Sequence, residues 1–286
     1  MTYSAESPSL HTAQATGEAS IMIPSQFKPD ADFLLPSAPY TIPIAGGAYH
    51  VREHYEPFCN ELTRRGHTTI NPDFDCSDVS STFEKDSDAF VETLGDADRL
   101  FFYVHSRGIE RFARALHKIN PDRVIGAFIS NSAGPHGLLL PPAYEGEPAL
   151  PRYTPLLSTG IRPLSERLSA FNPNVALKTF YSEVDADRAR WAAGLLVNQR
   201  APGDNESVVP IMPPSIPIYY VLGSKDMAIN NNRAERVPRQ WLGPDAQPAE
   251  YEAFGHSPFL ERITYLADLV LEKAVLAETI RTAQKS

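Results

Sequence analysis

The chain has 286 residues, 42% of them hydrophobic, and a formal net charge of −9. That is enough apolar material for one sheet covered on both faces, and too little chain for a large second domain beside it. The acidic balance, with no clustered Lys/Arg face, argues against nucleic acid and anionic membranes as partners and leaves a small molecule as the expected ligand.

In chain order, residues 1 to about 20 are small and polar without periodicity and are expected to be disordered. The next twenty or so residues, with Ile21-Met22-Ile23-Pro24 and Phe33-Leu34-Leu35-Pro36, are expected to add an edge segment or to cover a pocket. The first lysine is Lys28 and no long apolar span follows, so neither a secretory leader nor a membrane helix is expected and the default location is cytoplasmic. An apolar run from Tyr40 ends at Gly46-Gly47, and a helical pattern then runs from Glu53 to Arg65 and stops at Gly66. A strand from His67 is stopped at Pro72-Asp73, a polar loop reaches about Thr82, and Phe83 to Leu94 reads as a helix. Arg99 to His105 and Arg123 to Ala133 are further apolar strands. Residues 134–215 open with Pro141, Pro142, Pro148, Pro151 and Pro155 and turn helical later, which reads as a cap over the site. Ile216 to Asp226 and Glu250 to His256 are strands, and Phe259 to Thr282 is a closing helix. Strands alternating with helices predict an α/β fold with a mainly parallel central sheet flanked by helices.

Val104-His105-Ser106-Arg107-Gly108 takes an apolar strand straight into a serine flanked by His105 and Gly108. A strand that turns sharply into a helix holds such a serine hydroxyl out at the carboxyl end of the sheet. Asp226 and His256 also fall just past the carboxyl ends of strands, where catalytic groups of open α/β sheets gather. Ser106, Asp226 and His256 are therefore the candidate catalytic set, in the chain order Ser, Asp, His. A solvated loop carboxylate at Asp226 and a buried structural imidazole at His256 are the alternatives. The strand from Arg123 to Ala133 offers no carboxylate at its end, which favours Asp226 as the acid.

With these segments the chain resembles the α/β-hydrolase superfamily, and within it the compact branch of plant methylesterases, hydroxynitrile lyases and many bacterial esterases. Ile44-Ala45-Gly46-Gly47-Ala48-Tyr49 takes the place of the family's strand and His-Gly-Ala-Trp, with Gly46 where the His is usual. Gly66 to Asp73 resembles its Gly-His-x-Val-x-x-Pro-Asp strand. Val104 to Gly108 matches the Gly-His-Ser-x-Gly elbow, with Val104 and Ile109 replacing glycines. Thr179 to Asp187, leading through Trp191 to Gln199, resembles a cap helix, and Gly223 to Asp226 and Gly255 to Phe259 match the acid and histidine loops. The resemblance covers the chain from about Thr41 to the last helix. It implies an α/β-hydrolase domain over residues 21–286, with a small cap, residues 134–215, inserted after the sixth strand.

It also implies roles. His256 would accept the Ser106 proton, Asp226 would hold the imidazole tautomer, and the oxyanion would rest on the backbone N–H groups of Arg107 and Ala48, with Gly47 as the alternative donor. His105 is expected to pack behind the elbow. Tyr49, His50 and His136 are candidate pocket residues, with surface loop positions as the alternative. Phe180, Tyr181 and Trp191 read as cap core rather than substrate contacts. The Arg107 side chain either grips a substrate carboxylate or folds onto the surface, and the second reading is slightly favoured. Cys59 and Cys76 read as free thiols. No metal site, dinucleotide fingerprint or phosphate loop is present in the pattern, so a cofactor-free enzyme is the simplest reading. The expected activity is a serine hydrolase cleaving a carboxylic ester, thioester or lactone of a small apolar substrate through an acyl-enzyme. A catalytically silent ligand-binding homologue is the alternative that Val104 and Ile109 support. A lyase is a second alternative, but the lyases of this fold carry Lys where this chain has Ser257. A homodimer stays open, because oligomeric state is not legible here.

Overall fold

A computed structural model describes residues 38–135, 150–201, 216–244 and 246–285. The expected disordered head, most of the proline-rich start of the cap and His136 lie outside the described residues. The chain begins with β1 (Thr41–Ala45), α1 (Glu56–Arg64), β2 (Thr68–Ile70), α2 (Phe83–Leu94), β3 (Leu100–His105), α3 (Ile109–Leu116) and β4 (Val124–Ser130). An insertion follows: α4 (Pro155–Gly160), β5 (Ile161–Ser165), β6 (Leu168–Phe171), α5 (Pro173–Thr179), α6 (Ala186–Gly194) and β7 (Gln199–Arg200). The chain closes with β8 (Ile218–Gly223), α7 (Asn231–Ala234), α8 (Val237–Trp241), β9 (Glu250–Glu252), α9 (Pro258–Glu261) and α10 (Ile263–Lys285).

Six strands form the main sheet in the order β2-β1-β3-β4-β8-β9, every pair parallel. Both faces are covered, which is why β3 reads as an unbroken apolar run: all six of its residues are buried. Alternation sorts them. Phe101 and Tyr103 join the core under α1, α10 and the insertion, whereas Leu100, Phe102 and Val104 join the core under α2, α3 and α8.

Helix boundaries follow local chemistry. Thr82 caps α2 by accepting from the Lys85 N–H at 3.1 Å, and Asp185 caps α6 by accepting from the Arg188 N–H at 3.0 Å. No helix among the described residues is long and apolar enough to cross a membrane.

The insertion differs from its expectation in two ways. It carries a three-stranded antiparallel sheet, β5-β6-β7, which was not legible because β5 contains Pro163 and is mostly exposed. The segment from Thr179 to Gln199 is also not one helix: α5 ends at Thr179, and α6 restarts after the Asp185 cap. Counted from β1 among the described residues, the insertion follows the fourth sheet strand rather than the sixth.

Candidate active site

Ser106 sits where β3 ends, with φ at 51°, a left-handed conformation that a serine holds only where the surroundings impose it. A 3-10 turn, Ser106–Gly108, carries the chain directly into α3. Gly108 is obligatory here, since a Cβ at that position would overlap the Ala45 carbonyl oxygen of β1. Val104 does not obstruct the turn: its side chain points into the α2/α3 layer and is fully buried beside Ala45, Ile109 and Ile129.

Asp226 and His256 come together from the loops after β8 and β9. His256 Nδ1 lies 2.8 Å from Asp226 Oδ2, and both side chains are buried. The other carboxylate oxygen, Oδ1, accepts from the Ala228 N–H at 2.7 Å and the Ile229 N–H at 3.2 Å, so the acid is locked on both sides. A carboxylate at Nδ1 places the ring proton there and leaves Nε2 with a free lone pair. No hydrogen bond joins Ser106 to His256 among the described residues.

Two residues absent from the sequence expectation hold this arrangement. Asn131, at φ 49°, donates through Nδ2 to the carbonyls of Gly255 (2.8 Å) and His256 (3.0 Å), and accepts from the Gly223 N–H at 2.5 Å. It thereby clamps the acid and histidine loops together from the end of β4. Tyr55 does the same for the other side. Its hydroxyl accepts from the Gly47 N–H at 2.7 Å and lies 2.9 Å from His105 Nδ1, while His105 Nε2 lies 2.9 Å from the His256 carbonyl. A single chain of hydrogen bonds thus runs from the glycine turn, behind the elbow, to the histidine loop. It requires the His105 Nε2–H tautomer, and burial together with the neighbouring His256 pushes the His105 pKa well down, keeping it neutral.

Tyr55 also accounts for Gly46. A Cβ on Gly46 would lie 2.9 Å from the Tyr55 ring, so the tyrosine occupies the space that a histidine side chain would need. The Asn131 signal in the sequence was slight: an Asn directly after a strand, the residue type other than Gly that best tolerates φ above zero. Tyr55 left no signal, because its role depends on a contact with His105, 50 residues away.

The glycine turn approaches the serine closely: a Cβ on Gly47 would sit 3.1 Å from Ser106 Cβ and 2.8 Å from His105 Nδ1. Since the Gly47 N–H is bound by Tyr55, it is not a spare donor, which removes the alternative expected at that position. The N–H groups of Ala48 and Arg107 have no acceptor among the described hydrogen bonds.

Of the candidate pocket residues, Tyr49 and His50 are brought to the site. Tyr49, at φ 64°, bonds through its hydroxyl to Ser169 at 2.9 Å and through its N–H to Gln199 at 3.1 Å, pinning the turn to the insertion. His50 is buried between the Ala48 carbonyl at 2.7 Å and the Tyr181 hydroxyl at 3.2 Å, and desolvation holds its pKa well down. Phe180 stacks on the His256 ring at 5.3 Å, whereas Trp191 is 42% exposed at the outer surface of the insertion. Phe180 and Tyr181, expected as cap core, are both buried core residues, and Phe180 also stands beside His256. Cys59 and Cys76 are both buried free thiols, and burial pushes the Cys59 thiol up to about 12.

No family model matches the sequence, and no curated protein matches it. Solved structures do. A methylesterase from Arabidopsis (MES16) superposes with a TM-score of 0.61 at 16% identity, covering 83% of this chain and 99% of that one. A pyrethroid hydrolase from Sphingobium faniae gives 0.64 at 18% identity, covering 83% and 98%. A variant of tomato methylketone synthase I, complexed with β-ketoheptanoate, gives 0.64 at 10% identity, covering 85% and 100%. The protein has the α/β-hydrolase fold.

Proposed function

We propose that the protein is a serine hydrolase that cleaves a carboxylic ester, or a related thioester or lactone, of a small, largely apolar substrate. The observation that carries this reading is Ser106 held at φ 51° on the strand-to-helix turn, at the same carboxyl edge of the sheet as the buried Asp226–His256 pair. Structural neighbours that are esterases and hydrolases support the same reading at the level of fold.

In this mechanism His256 Nε2 takes the Ser106 hydroxyl proton as Oγ attacks the ester carbonyl, and Asp226 stabilises the imidazolium. In this reading the oxyanion is held by the N–H groups of Ala48 and Arg107, which have no acceptor among the described hydrogen bonds. His256 returns the proton to the leaving alcohol as the acyl-enzyme forms. Water, deprotonated by the same imidazole, then releases the acid and restores Ser106. The gap between Ser106 and His256 closes in the Michaelis complex, as catalytic hydrogen bonds that are long in the ligand-free state commonly do.

Labelling with a fluorophosphonate, read by intact mass and peptide mapping, tests the reading. One adduct on Ser106, lost in both Ser106→Ala and His256→Ala, is expected. No adduct on the folded protein overturns the hydrolase reading in favour of a silent ligand-binding homologue.

A further inference from the structure

Arg107 follows Ser106 directly, and its side chain is placed unlike those of the arginines around it. Arg200 pairs with Asp86 at 2.7 Å, Arg111 approaches the same carboxylate at 3.6 Å, and Arg114 lies 3.5 Å from Glu110. Arg107 has no carboxylate within ion-pair distance among the described residues. Its Nη1 donates to the Arg200 carbonyl at 3.0 Å, its guanidinium lies over the Phe83 ring at 4.9 Å, and its Nη2 is buried with no hydrogen-bond partner. A guanidinium remains a cation even when burial lowers its pKa, as it does here; Tyr153, Glu110 and Tyr49 act on it electrostatically, but none of them bonds Nη2, and a buried N–H left unbonded is costly. The surface position favoured from sequence holds only in part: the residue is half-buried, and its Nη2 is enclosed.

The enclosure adjoins the reacting centre. Tyr49 and Tyr153 both interact electrostatically with Arg107. Tyr49 packs on Phe171 with ring centroids 5.1 Å apart, Phe171 on Phe180 at 4.6 Å, and Phe180 on His256 at 5.3 Å. A row of packed rings thus runs from Tyr49, which acts electrostatically on Arg107, to His256. The leaving group departs from the His256 end, where it is protonated, so the acyl part extends toward Arg107. With a net charge of −9 the chain does not attract anions at long range, and an anion must be recognised by a local group such as this one.

Resting on the ester-hydrolase reading above, we propose that Arg107 binds a carboxylate on the acyl part of the substrate, so that the preferred substrates are half-esters of dicarboxylic acids. The carboxylate would pair with the orphan Nη2 while the apolar wall takes the intervening methylenes.

Hydrolysis of mono-p-nitrophenyl glutarate and of p-nitrophenyl butyrate, compared as a ratio of kcat/KM within each protein, tests this. The parent ratio is expected to favour the glutarate, and Arg107→Gln to lower it by at least about 30-fold, the loss typical of removing one partner of a buried charge pair. Arg107→Lys, which keeps the charge but not the fork, should retain part of the preference. A parent ratio below one, or a ratio that survives Arg107→Gln while both esters slow together, overturns the proposal. Calorimetric titration with glutarate itself separates this outcome from failure of the hydrolase reading. Glutarate binding that Arg107→Gln abolishes supports the anion site even if neither ester is turned over, and no glutarate binding to the parent refutes it.

Discussion

The elbow frame and the insertion that faces it are built on different principles. Around Ser106 the tightest contacts involve backbone: Gly108 lies against the Ala45 carbonyl and Gly223 against the carbonyls of Phe254 and Gly255, while the Gly47 backbone lies against Ser106 Cβ and the His105 ring. Across the insertion they are side-chain contacts: Phe180 on His256, Tyr181 and His50, the His54 ring 3.0 Å from the Ala192 carbonyl, and Tyr49 on Ser169. Backbone approach admits no variation in residue size, whereas side-chain packing can be refilled with other residues of similar volume. The frame is therefore expected to tolerate substitution far less than the insertion does.

Adding one methyl group to the frame should break it. Gly108→Ala is expected to abolish fluorophosphonate labelling and to reduce the yield of folded protein sharply, since neither the Ala45 carbonyl nor α3 can move independently of the sheet. Full labelling of Gly108→Ala would show that the frame is more pliable than its contacts imply.

Acid should strike next, at the seam between the two regions. Burial depresses the pKa of His50, His54 and His105 below the ordinary histidine value. The unfolded chain, with histidines near 6.5, then binds protons that the folded chain refuses, so stability is complete above that pH and is lost as pH falls below it. Each histidine can contribute up to about 1.4 kcal/mol per pH unit of this loss. The urea midpoint should accordingly fall between pH 7.5 and pH 5.5, a window above the range of ordinary carboxylates. An unchanged midpoint would mean that the seam accepts protonated rings.

Tyr55→Phe should have the smallest effect on the fold and a selective one on catalysis. The ring that stacks on Phe259 at 4.4 Å remains, while the Gly47 N–H and His105 Nδ1 lose their shared partner, at a cost of about 1–3 kcal/mol. With a neutral p-nitrophenyl ester, kcat is expected to fall while KM holds, because the loops that carry the donors and His256 lose their common tie. A change in KM alone would place Tyr55 in substrate binding instead.

Much of this was legible without coordinates, and for identifiable reasons. The apolar runs that became β3 and β8 and the helix Phe83–Leu94 have local causes: burial on both faces, and the Thr82 cap. The Asp226–His256 pair could be anticipated because strands of a parallel sheet all deliver their carboxyl ends to one edge. The antiparallel sheet of the insertion could not, since exposed strands around a proline carry no periodic pattern.

By itself, then, the sequence determined the alternation of strands and helices, the elbow at Ser106 and the order of the candidate catalytic residues, all of which rest on local propensity and apolar periodicity. Only the tertiary structure decided that Tyr55 fills the place left by Gly46, that Gly47 is spent as a donor, that Asn131 clamps two loops, and that the Nη2 of Arg107 is enclosed without a hydrogen-bond partner. Each of these depends on groups that are distant in the chain meeting at one point, and the spacing of residues along a sequence carries no record of such meetings.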